Sequence, residues 1–66
     1  MKRYAIAVCD LMDGKNQINI VEAKNEIEAM IIAVEGKILN IRASTIEELQ
    51  EYYFNGELSV SKPVEL

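Results

Sequence analysis

Arg3-Tyr4-Ala5-Ile6-Ala7-Val8-Cys9-Asp10-Leu11-Met12-Asp13-Gly14, followed closely by Gln17-Ile18-Asn19-Ile20-Val21-Glu22-Ala23, is the stretch that decides the fold. Both runs alternate with the two-residue period of a strand and are rich in strand-forming residues. Asp13-Gly14 between them is a turn signal, because glycine accepts a positive φ without steric cost. The two runs therefore read as a β-hairpin. A two-residue and a four-residue loop give the same parity, so the faces follow whatever the turn type. One face carries Ala5, Ala7, Cys9 and Leu11 with Ile18 and Ile20. The other carries Tyr4, Ile6, Val8 and Asp10 with Asn19 and Val21.

Two helices follow. Asn25 stands three residues before Glu28, a capping-box pattern in which each side chain can satisfy a free backbone N–H. Ile27, Met30, Ile31 and Val34 then line one helical face, and Gly36 ends the helix. The same chemistry recurs twenty residues later as Thr45, Glu48 and Gly56. Ile46, Leu49 and Tyr53 mark the inner face of this second helix. Residues 38–42 read as a short strand between the helices, and Leu58 to Val60 as another, which Pro63 restricts to an edge or a tail. The element order is ββαβαβ. A right-handed crossover sets the third strand beside the first. The expected fold is α+β, a two-layer sandwich with an N-terminal hairpin and both helices on one face of a small mixed sheet. Residues 1–66 form a single domain, with 62–66 as a loose tail.

Small side chains let a helix come close, so the helices are expected over Ala5, Ala7 and Cys9. That leaves Tyr4, Ile6, Val8 and Val21 uncovered. The first helix, with Ala29, Ile32 and Ala33 beside its core stripe, is apolar nearly all round and needs burial on more than one side. A chain of 66 residues that is 50% hydrophobic has little interior in which to hide these groups. Oligomerisation is the remaining source of stability, because one cysteine excludes an internal disulfide and the lack of histidine disfavours zinc. A homodimer joined through Tyr4, Ile6, Val8, Val21 and Ile32 is the resulting expectation.

The net charge of −4 comes from the last third of the chain. Residues 1–42 balance six basic against six acidic side chains, whereas Glu47, Glu48, Glu51, Glu57 and Glu65 face Lys62 alone. An acidic end repels phosphate backbones, which argues against nucleic acid. Its simplest role is a solvated helix face. No run approaches the ~20 apolar residues of a membrane span, and the short N-terminal run does not make a secretory signal. With one unpaired thiol, these features give a cytoplasmic reading.

Catalytic equipment is not recognisable. Histidine is lacking, the three glycines are isolated, and Asp10 with Asp13 fits turn chemistry better than a cation loop. Cys9, mid-strand among alanines, reads as core. The expectation is therefore no enzyme, no metal and no cofactor. Two surfaces remain as candidates. The acidic helix face of Glu47, Glu48, Glu51 and Tyr52 is suited to a larger protein partner, since aromatics are common interface anchors. Lys37 and Arg42 are the candidates for an anion site. In size, acidity and lack of catalytic residues the chain resembles small inhibitory or adaptor proteins of bacteria and their phages, a likeness of type carried by no motif. The preferred function is a non-catalytic protein-binding module that inhibits or regulates its partner. The alternative is a small-ligand-binding regulatory domain with the anion site at a dimer interface.

Overall fold

β1 (Lys2–Asp10) and β2 (Lys15–Ala23) pair antiparallel from Lys2 opposite Ala23 to Asp10 opposite Lys15 in the computed structural model, which describes residues 1–39 and 43–66. The loop has four residues, Leu11 to Gly14. The Asp10 carboxylate accepts from the N–H groups of Met12 and Asp13 at 3.0 and 3.2 Å, and Gly14 takes a φ of 69°. Asp10 therefore serves the turn, as its spacing suggested.

α1 (Glu26–Glu35) and α2 (Ile46–Asn55) begin as their caps dictate. Asn25 Oδ1 accepts from Glu28 N at 2.9 Å, and Thr45 Oγ1 from Glu48 N at 3.1 Å. The reciprocal bonds reach one residue further back than a standard capping box, to Lys24 N and Ser44 N. Gly36, at φ 79°, ends α1 in the left-handed conformation, its N–H on the Ile32 carbonyl. Asn19 Nδ2 donates to the next orphan carbonyl, Ala33 O, at 2.8 Å. α2 stops differently. Gly56 stays at negative φ, and the left-handed residue is Glu57 at φ 65°.

β3 (Leu58–Val60) and β4 (Val64–Glu65) both pair antiparallel with the free side of β1. β1 is thus central, and the fold is a two-layer α+β domain with both helices on one sheet face. Among the described residues the sheet is antiparallel throughout instead of mixed, because the strands beside the free side of β1 are the C-terminal ones. Residues 38 and 39 carry no regular structure, and the remainder of that expected strand, 40–42, lies outside the described residues. The C-terminus is no loose tail. Val64 lies opposite Ala5, Glu65 opposite Tyr4, and Leu66 N donates to Arg3 O at 2.9 Å.

Register slips between β3 and β4. Val60 is opposite Val8 and Val64 opposite Ala5, so four steps on one side match three on the other, which is a bulge at Ser61–Pro63. Pro63 offers no N–H to the ladder. Ser61 bridges the gap, its N–H donating to Ala7 O and its Oγ accepting from Ala7 N, both at 2.9 Å. Side-chain parity reverses there. Val60 faces the helices, whereas Val64 shares the opposite face with Ala5.

The helices cover the face opposite to the one expected. Tyr4 is 3% exposed and Ile6 0%, buried with Met30, Ile31, Leu49, Tyr53 and Val60. Val8, Val21 and Ile32 pack against this core. The five residues expected to join two protomers are therefore covered within the chain. The small residues of this core come from α1 and the end of β2 instead of β1: Ala29, Ala33 and Ala23 are buried. This leaves the bulky side chains of the central strand to fill the core, where each buries more apolar area than an alanine could. Cys9, expected in the core, lies half-buried on the open face.

Two substitutions separate these features. Ile6→Ala should lose about 2–5 kcal/mol, comparable to the whole stability of a small domain. Glu57→Gly should gain about 0.5–1 kcal/mol by relieving the left-handed strain. Urea unfolding of both variants measures each effect; a harmless Ile6→Ala contradicts the face assignment.

Candidate functional site

α2 presents its acidic residues as the sequence suggested. Leu49 and Tyr53 point into the core, so successive 100° steps turn Glu47, Glu51 and Phe54 together to one outer flank and Glu48 with Tyr52 to the other. Phe54 is 60% exposed, and Tyr52 is 57% exposed. Gln50 Nε2 donates to Val60 O at 2.9 Å and so ties the helix to the edge strand β3. Gln50, Glu51, Phe54, Ser59 and Val60 line an open groove of about 320 Å³. The missed signal was positional: Phe54 is three residues after Glu51 and seven after Glu47, on the acidic flank.

The carboxylates are not equivalent. Glu48 is committed to the helix start, where Ser44 N and Ser44 Oγ donate to its two oxygens at 3.3 and 3.1 Å. Glu47 lies 3.8 Å from Lys62, with both side chains largely exposed, a pair that contributes little. Glu51 makes neither a hydrogen bond nor an ion pair among the described residues. Glu51 is thus the carboxylate most available to a partner.

The second exposed surface is the sheet face turned away from the helices. Ile18 is 72% and Ile20 57% exposed, flanking the small residues Ala5, Ala7 and Cys9 of β1. Val64 and Leu66 lie along the other side. The trough between these ridges opens into a cleft of about 620 Å³ that reaches Ser59 and Ser61.

The anion-site candidates fall on either side of the described boundary. Lys37 is exposed beyond the end of α1, and Arg42 lies outside the described residues. Among the described residues no cluster of three histidine, cysteine or carboxylate side chains is placed to hold a metal, and no helix is long and apolar enough to cross a membrane.

One buried polar group stands apart. The Tyr53 hydroxyl is buried with no hydrogen-bond partner among the described residues. Burial, with a smaller contribution from Glu35 and then Tyr52, pushes its pKa up to about 12. The ring meets Tyr52 edge-on at 5.4 Å. Comparison of the chain with protein-family models, curated proteins and solved structures gave no match.

Tyr53 stays protonated in the folded state at pH values where the unfolded chain has released that proton. Its contribution is intact below pH ~10 and is lost as pH rises toward 12. Tyr53→Phe should shrink this alkaline loss by an amount on the order of 2 kcal/mol. At neutral pH the variant should be as stable as the wild type or slightly more so, because the orphaned hydroxyl is removed. Thermal melts from pH 7 to pH 12 measure both effects.

Proposed function

We propose that the chain is a small, acidic, non-catalytic protein-binding module that inhibits or regulates a larger protein through the outer surface of α2. The observation that carries this reading is Phe54, three-fifths exposed beside Glu51 at the edge of the α2–β3 groove, with Tyr52 exposed on the other flank. A large aromatic ring left in water forgoes roughly 1.5–3 kcal/mol that burial would recover. Aromatic anchors at the centre of interfaces supply much of the affinity where they occur. The surrounding carboxylates select the partner's character, a basic surface with an apolar pocket for the ring. They would also speed encounter in a salt-dependent manner.

The same acidic end disfavours nucleic acid as a partner. Cytoplasmic residence belongs to this reading too, since Cys9 is a free thiol.

The test is capture from a lysate of the cells that encode the protein, with wild type beside a Glu51→Lys/Phe54→Ser double variant. Neither residue is in the core, so the circular dichroism spectrum and melting temperature should be preserved. The wild type should retain one protein species, and the variant should bind it about 100-fold more weakly. Equal retention by both chains removes α2 as the contact surface.

A further inference from the structure

The exposed half of the β1–β2 hairpin is built from unlike neighbours. On the face turned away from the helices, Arg3 stands beside Glu22, Ala5 beside Ile20, and Ala7 beside Ile18. β1 contributes the small or positive member of each pair and β2 the large or negative one.

This arrangement is self-complementary under one symmetry operation. A two-fold axis running along the strands, midway between β1 and β2, brings two open faces together and sets each column over the opposite column of the other copy. Ile20 then rests on the partner's Ala5, Ile18 on the partner's Ala7, and Glu22 over the partner's Arg3, with every contact repeated in reverse. A ridge fills a trough at each apolar position, and opposite charges meet at the rim. Other pairings lose these matches. An in-plane axis across the strands sets isoleucine on isoleucine and alanine on alanine. Pairing through the free edge of β2 leaves the alanine trough in water.

We infer that the second copy of this chain is the occupant of the open sheet face, in an aligned sheet-on-sheet homodimer. The strand directions of such sandwiches stay within about 30° of each other, which keeps the columns matched near the centre of the face. Area sets the strength. With the axis between β1 and β2 the two hairpins overlap over about 30 Å by about 10 Å from strand geometry, so two copies bury roughly 600 Å², the size of a weak, transient contact. The expected dissociation constant is accordingly about 100 µM. In this dimer the helical layers lie outermost, so α2 is displayed on both sides. The inference does not rest on the function proposed for α2, and either can fail without the other.

Sedimentation equilibrium of the purified full chain from about 5 µM to about 500 µM is the test, in the range where such a dimer dissociates. The mass should rise from 7.5 kDa toward twice that value. Ile20→Lys should weaken the dimer about 100-fold. Ala7→Leu should do the same by filling the trough, and both side chains lie outside the core, so the monomer fold should persist. Arg3→Glu should weaken it as well, and Arg3→Glu with Glu22→Arg should restore it. In case a variant fails to fold, wild-type methyl NMR supplies the second readout, with concentration-dependent shifts confined to Ala5, Ala7, Ile18 and Ile20. A chain that stays monomeric throughout overturns the inference, whether the face is bare or awaits a different protein. A dimer that tolerates Ala7→Leu, with the amides of Ile18 and Ile20 newly protected from exchange, overturns it in favour of edge pairing.

Discussion

Tyr4 and Ile6 of the central strand pack beneath Met30 and Ile31 of α1 and Leu49 and Tyr53 of α2, and the position of every other layer follows from that contact. β1 has strands on both sides, so its inward side chains are the only ones that reach the middle of the sheet. Two short helices can cover one face and no more. Once the bulky face of β1 is chosen for them, the alanine face is left in water together with the isoleucines opposite it. The small residues of the core then come from elsewhere than β1, and Ala29 and Ala33 of α1 and Ala23 of β2 are the buried ones.

The C-terminal strand shows how a single residue redistributes surface. Without the bulge at Ser61–Pro63, Val64 would continue the inward parity of Leu58 and Val60 and join the core. With it, Val64 and Leu66 turn outward and add a second ridge to the open face. Ser61 makes this possible, because its hydroxyl accepts the Ala7 N–H that a regular ladder would have bonded to a carbonyl. The apolar character of the open face therefore depends on a polar side chain at its margin.

The two proposed surfaces lie on opposite layers. α2 carries most of the excess negative charge and both exposed aromatics, and its one carboxylate bound into the helix cap is Glu48. Availability for a partner is thus set by which carboxylates the fold itself consumes. On the open face the hairpin strands carry no charge beyond Arg3 and Glu22 at one end. One molecule presents an acidic, aromatic surface on one side and an apolar, self-matching surface on the other.

Much of this was legible from the residues alone. The hairpin and its parity, the helix starts at Asn25 and Thr45, the turn role of Asp10 and the acidic outer face of α2 are short-range effects, decided by neighbours within a few positions. The choice of which hairpin face to bury was not legible, since both are apolar and alternation cannot rank them. That choice depends on side chains brought from α1, about 25 residues from β1 in sequence, and on which partner supplies the small residues. The ending of α2 at Glu57 instead of Gly56, the pairing of the C-terminus with β1 and the parity reversal at Ser61 were likewise decided only in three dimensions. Each requires a long-range ladder hydrogen bond, and local residue preferences carry no information about where such a bond will form.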